Sequence, residues 1–237
     1  MKRSELDKEA HGEYVEARLR ARPREVTESL KPGQHALQLD GSGHDALLYV
    51  PRGQSMESPA PLAVMLHGAG GEAAGGLGLL RAFADEAGLI LLAPGSQQYT
   101  WDLIASEYGP DVRLIDLALA QTFAGCVVDK ERIAIGGFSD GASYALSLGL
   151  TNGDLFTHVL AFSPGFLAPA STTGKPRIFI SHGTQDRVLP VERCSRRIFP
   201  QLERAGYETR YEEFDGPHTV PREIALEGVR WLKGEQK

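Results

Sequence analysis

Three residues of this chain have the types and the order that proton relay to a nucleophile requires. Ser139 stands at the centre of Gly137-Phe138-Ser139-Asp140-Gly141, Asp186 ends Ser181-His182-Gly183-Thr184-Gln185-Asp186, and His218 ends Phe214-Asp215-Gly216-Pro217-His218. A serine hydroxyl is a weak nucleophile at neutral pH and needs a neighbouring base to take its proton. An imidazole can do that, provided a carboxylate holds it in one tautomer and supports the charge it gains. The chemistry would be acyl transfer through an acyl-enzyme. Two residues compete for these roles. His182 precedes Asp186 and is expected to be structural; Asp215 lies on the His218 loop, too close in sequence to turn back onto it.

Acyl transfer also needs donors aimed where negative charge develops on the carbonyl oxygen. His67-Gly68-Ala69-Gly70-Gly71 is a glycine-rich loop whose backbone can approach a substrate. The expected donors are the N–H of Ala69 and that of Asp140, the residue after the nucleophile. Such a loop could instead cradle phosphate, but it has neither a GxGxxG spacing nor a Walker lysine.

These residues work together only if the fold brings them to one edge. Apolar runs at Leu62–Leu66, Leu89–Ala93, Arg132–Gly136, His158–Phe162, Arg177–Ser181 and Glu208–Phe214 read as strands. Between them, Ala73–Ala87, Asp111–Ala124, Asp140–Leu150, Val191–Ala205 and Pro221–Leu232 read as helices, with Pro110 at a first helical position. Buried strands alternating with helices predict an α/β fold: a mostly parallel twisted sheet covered on both faces. A leading hairpin, His35–Leu39 and Ala46–Val50 around Asp40-Gly41-Ser42-Gly43, predicts an antiparallel N-terminal edge. The serine sits at a strand–turn–helix junction, where a tight elbow projects the hydroxyl clear of the sheet. The acid and the histidine each follow a strand, so all three fall at its C-terminal edge. Loops at that edge supply candidate substrate walls in Trp101, Phe166, Val188 and Leu189.

Four segments, Leu66-His67-Gly68, Gly137-Phe138-Ser139-Asp140-Gly141-Ala142, His182-Gly183-Thr184-Gln185-Asp186 and Gly216-Pro217-His218-Thr219-Val220-Pro221, resemble the phospholipase/carboxylesterase family, which includes acyl-protein thioesterases and small bacterial esterases. The resemblance spans roughly residues 35–233 and holds the four motifs in order. It implies an α/β-hydrolase fold without a large cap, no cofactor, and hydrolysis of carboxylic esters, acyl thioesters or lysophospholipids. It places Ser139, Asp186 and His218 in the triad and Ala69 and Asp140 in the oxyanion hole. Family members often carry Gln after the nucleophile and then Gly-Gly; here Asp140 and Ala142 depart from that pattern, and the Asp140 carboxyl would bring negative charge near the site. Other acyl chemistry on the same triad, such as depolymerase-like, dienelactone-type or peptidase activity, and a non-catalytic small-molecule-binding module are the alternatives.

The bulk properties narrow the classes further. With 237 residues, 42% hydrophobic and 24% charged, the chain suits one soluble domain. A net charge of −6 disfavours nucleic acid and anionic membranes as partners. Cys126 and Cys194 form no CxxC, and the seven histidines show no metal-ligand spacing, so no metal is expected. Met1–Arg22 is charge-rich without the apolar core of a signal peptide, and no segment is long and apolar enough to span a membrane. A cytoplasmic location follows as the expectation. Residues 1–31 read as a charged helical extension to a catalytic domain at 32–237: Leu6, Ala10, Tyr14, Ala17 and Ala21 recur on one helical face until Pro23. That helix would pack on the domain or on a second copy, making a homodimer possible.

Overall fold

The computed structural model describes residues 16–39 and 46–235. Its strands are β1 (Gly33–Leu37), β2 (Ala46–Val50), β3 (Ala60–Leu66), β4 (Ile90–Pro94), β5 (Val128–Phe138), β6 (His158–Phe162), β7 (Arg177–Gly183) and β8 (Thr209–Phe214). They form one sheet in the order β1-β2-β4-β3-β5-β6-β7-β8. β1 and β2 pair antiparallel, and β2 pairs antiparallel with β4; every other pairing is parallel. The antiparallel edge and parallel body are as expected, although the turn assigned to 40–43 lies outside the described residues.

Between the strands run α1 (Ala73–Gly78), α2 (Ala84–Ala87), α3 (Asp102–Ala105), α4 (Pro110–Gly125), α5 (Asp140–Thr151), α6 (Ser195–Arg204) and α7 (Arg222–Lys233). β3, β4 and β6 are buried at every residue, which is why they read as unbroken apolar runs rather than alternating ones. One apolar cluster lies on the face that packs α4 and α5; a second, around Met65, Leu91, Phe162 and Phe179, packs α1, α2 and α7. No helix among the described residues is long and apolar enough to cross a membrane.

Three expectations are corrected. The single helix over Ala73–Ala87 is broken into α1, a 3-10 turn at Arg81–Phe83, and α2. Gly75, Gly76 and Gly78 are poor helix formers, and at Gly76 the helix comes so close to β3 that a Cβ would meet the Met65 carbonyl. The helix over Val191–Ala205 begins only at Ser195, after a turn held by the Pro190 and Val191 carbonyls.

The third concerns the extension. Leu6, Ala10 and Tyr14 lie outside the described residues, but 16–31 form no helix. They run as an irregular strap fastened to the domain by polar contacts that a regular helix would not make. Asn152 Oδ1 accepts the Leu19 N–H at 2.8 Å while its Nδ2 donates to the Ala17 carbonyl at 2.7 Å. Asp116 Oδ1 accepts both the Arg20 and the Ala21 N–H at 2.8 Å. Arg18 and Arg22 share the Asp154 carboxylate at 2.9 and 2.6 Å. Ala17, in the left-handed region at φ 53°, and Leu19 are buried, so the strap is part of the core on the α4–α5 face.

Candidate active site

β5 ends at Phe138 and α5 begins at Asp140, leaving Ser139 alone to make the turn. It does so at φ 58°, ψ −120°, a strained conformation for a side chain with a Cβ. The strain is held from both sides. The Ser139 N–H donates to the Phe162 carbonyl on β6 at 3.0 Å, and its own carbonyl accepts from Ala142 and Ser143 in the first turn of α5. The hydroxyl is thereby lifted off the sheet edge.

His218 meets it there. His218 Nε2 lies 2.9 Å from Ser139 Oγ, and Nδ1 lies 2.5 Å from Asp186 Oδ2. The geometry fits a ring that donates from Nδ1 to the carboxylate and accepts the serine hydroxyl at Nε2. The Asp186 side chain is fully buried. Its other oxygen accepts the N–H groups of Val188 at 2.9 Å and Leu189 at 2.8 Å, so the loop's own backbone fixes the carboxylate. The Asp186 and His218 loops are stitched together: Thr184 N–H donates to the Phe214 carbonyl and Gln185 N–H to that of Gly216, both at 2.9 Å. Asp215 is spent on the Gln185 side chain at 2.6 Å, which removes it as a competing acid.

The glycine-rich loop lies alongside. A Cβ on Gly68 would stand 3.4 Å from that of Ser139. Among the described residues neither the Ala69 nor the Asp140 N–H meets a backbone acceptor, leaving both available to an oxyanion. Gly70, at φ 67°, needs glycine twice over: for its left-handed backbone and because the Tyr99 ring lies against it, within 3.1 Å of where a Cβ would be.

Residues that the sequence reading left aside hold these parts in place. The Phe138 ring, next to Ser139, lies 4.5 Å centre to centre from the His218 ring. Buried His67 has Nδ1 2.8 Å from the Gly68 carbonyl and accepts the Ser96 N–H at Nε2 at 3.0 Å; burial keeps its pKa low and so keeps it neutral. Behind it, Asp102 and Asp111 each accept the other's backbone N–H, at 2.9 and 2.8 Å. Asp102 also takes the Tyr144 hydroxyl at 2.9 Å, and Asp111 the Gln97 N–H at 2.8 Å. Burial and the Asp102 charge push the Asp111 carboxyl up to about 7. This pair folds loop 97–109 over the glycine-rich loop 67–71. Both carboxyls come from residues too far apart for spacing to reveal.

Trp101 is a correction. It is fully buried, not a substrate wall: its indole N–H donates to the His67 carbonyl at 2.9 Å and its ring packs between His67 and Tyr144. A large ring with its one donor satisfied is more stable in the core than at a wet mouth. The other three wall candidates flank the opposite side of Ser139. Val188 is exposed, Phe166 and Leu189 are half-buried, and Leu189 lies against Gly165, whose N–H donates to Ser143 Oγ at 2.8 Å.

His182 is structural in a specific sense. It is buried, its Nδ1 lies 2.7 Å from Ser195 Oγ, and its Nε2 lies 2.7 Å from the Leu189 carbonyl and 3.3 Å from Asp186 Oδ2. It braces the loop that aims Asp186. His182→Gln is expected to lower kcat by about 10²-fold with little change in KM, because misplacing a positioned group by about an ångström costs that much. Unchanged kcat in steady-state kinetics of the folded variant would show that the loop holds itself. Among the described residues no cluster of His, Cys, Asp or Glu is arranged to hold a metal.

Residues 105–219, which include Ser139, Asp186 and His218, match the model of the phospholipase/carboxylesterase family. Among curated proteins no sequence matches the chain. Solved structures share the fold at low identity. An S-formylglutathione hydrolase from Staphylococcus aureus is 17% identical, with a TM-score of 0.70 over 87% of this chain and 98% of that one. A carboxylesterase from Mesorhizobium loti is 18% identical, with a TM-score of 0.61 over 84% and 99%. A ferulic acid esterase from Anaeromyces mucronatus is 17% identical, with a TM-score of 0.61 over 90% and 92%. Over residues 105–219, which span the serine elbow and both downstream loops, the chain is similar to the phospholipase/carboxylesterase family, and its fold is the α/β-hydrolase fold of solved esterases.

Proposed function

We propose that the protein is a serine carboxylesterase, with Ser139 as nucleophile, His218 as general base and then acid, and Asp186 as the group that orients it. The observation that carries this reading is the unbroken line from Ser139 Oγ through His218 to the buried Asp186 carboxylate, beside two unspent N–H donors. His218 takes the hydroxyl proton as Oγ attacks the ester carbonyl. The Ala69 and Asp140 N–H groups receive the oxyanion, each such donor being worth about 3 kcal/mol of barrier. Collapse expels the alcohol, protonated by His218, and water activated by the same imidazole then releases the acid and frees Ser139.

Substrate size follows from the walls. Once Trp101 is assigned to the core, Phe166, Val188 and Leu189, on the loops after β6 and β7, are the apolar wall candidates that remain, and so small a set favours short acyl chains over long ones. Hydrolysis of p-nitrophenyl esters from acetate to palmitate is expected to peak at the short end. A fluorophosphonate is expected to add its mass to the peptide bearing Ser139. A long-chain optimum would move the assignment to a thioesterase or lysophospholipase. Absence of both turnover and labelling would leave a binding module.

A further inference from the structure

The mechanism above uses only the backbone of Asp140; its side chain has a separate position to explain. Asp140 Oδ2 accepts the Thr100 hydroxyl at 2.7 Å, and the carboxylate is half-buried one residue from the nucleophile. Tyr99, the neighbour of Thr100, lays its ring against Gly70 and leaves 75% of the residue exposed. The Gly70 N–H in turn donates to the Tyr99 carbonyl at 2.7 Å. Asp140, Thr100 and Tyr99 therefore make one wall on the oxyanion-loop side of Ser139, built of a carboxylate and an open aromatic face. The wall across from it, Gly165, Phe166, Val188 and Leu189, carries no charge of its own, and the exposed Arg187 stands beside it.

We propose that Asp140 is a specificity-determining residue, selecting esters whose arm on the Tyr99 side is neutral or cationic and rejecting those in which that arm is anionic. The inference rests on the esterase reading of Ser139 and adds the charge class of the substrate to it. A carboxylate so close to the reacting carbonyl, partly shielded from water, repels a second negative charge more strongly than an exposed surface group would. An aromatic face beside it adds attraction for an ammonium group. The Thr100 hydroxyl holds the carboxylate toward this wall, so the charge is directed at one arm of the substrate. Esters with an anion on that arm, whether acyl part or leaving group, fall in the disfavoured class, and esters uncharged on both arms in the favoured one.

The test compares ratios within one enzyme. Three aryl esters of matched size are used: a neutral one, one with a carboxylate on the acyl part and one with a sulfonate on the phenol. Wild type is expected to show kcat/KM at least about tenfold lower for one anionic ester than for the neutral one, a gap that narrows with added salt. Asp140→Asn keeps an oxygen for Thr100 and the backbone N–H, and removes only the charge. In it the ratio is expected to return to within about threefold of unity whatever the absolute rate. Whichever anionic ester responds identifies the arm that faces Tyr99. Identical ratios in both proteins, with neutral ester still hydrolysed and Ser139 still labelled by fluorophosphonate, overturn the charge inference and leave the esterase reading intact. No turnover and no labelling overturn both.

Discussion

Ser139→Ala is expected to reduce kcat on the best ester by roughly 10⁵- to 10⁶-fold, and Asp186→Asn by roughly 10⁴-fold. The two numbers test different parts of one arrangement. Removing the hydroxyl removes the acyl-enzyme route, and what survives is the water reaction assisted by the Ala69 and Asp140 N–H groups. Asp186→Asn leaves the nucleophile in place but exchanges one carboxylate oxygen for an amide that can only donate. If that amide faces His218 Nδ1, the imidazole is driven to carry its proton on Nε2, where it can no longer accept the Ser139 hydroxyl at 2.9 Å. If it turns the other way, it meets the Val188 and Leu189 N–H groups, both of which also donate. Either orientation costs a bond, so the variant cannot relax without loss. Substrate binding is untouched in this scheme, and KM is expected to stay within a few-fold. The measurement is steady-state kinetics with active sites counted by fluorophosphonate labelling, which excludes carry-over of wild type. Residual kcat in Ser139→Ala within tenfold of wild type would place the nucleophile elsewhere.

How far the sequence reached depends on whether a feature is local. The elbow, the Asp186 loop and the His218 loop each follow a strand directly. Chain order and strand polarity suffice to put them on one edge, and the hydrogen bonds there follow. The sheet was legible for the same reason, since strands buried on both faces show as short apolar runs. Trp101 was misread because a loop aromatic is chemically the same whether it faces a mouth or a core. What decides is the Asp102–Asp111 exchange that folds loop 97–109 inward, and that pairing involves a short helix no periodicity announces. The strap was misread because spacing of small residues is a weak helix signal. Hydrogen bonds to Asn152 and Asp116, far along the chain, and the burial of Ala17 and Leu19 outweighed it. The break between α1 and α2 was local, and the three glycines at 75, 76 and 78 were its visible sign.

Gly141→Ala is expected to be strongly damaging although it touches no reacting atom. A Cβ on Gly141 would stand 2.4 Å from the His67 carbonyl oxygen and 2.5 Å from that of Leu66, with no flexible side chain between them to give way. These are backbone atoms of the strand end that launches the oxyanion loop, so relief requires β3 and α5 to separate. Overpacking of this kind costs about 3 kcal/mol or more when the obstacle is rigid, against about 5–15 kcal/mol of stability for a whole domain. The denaturation midpoint should fall markedly. The remaining folded enzyme should lose at least about 10²-fold in kcat, because the displaced backbone carries both Ser139 and Ala69. Gly78→Ala is the matched control. It lies near the end of α1, where an added Cβ meets nothing within 4 Å and the backbone is not left-handed. There alanine is expected to raise stability by up to about 1 kcal/mol, through a less flexible unfolded chain and better helix propensity, with kcat unchanged. Equal midpoints for the two variants in urea would mean that the strand–helix approach at the elbow is looser than these distances, and with it the registration of nucleophile and oxyanion donors.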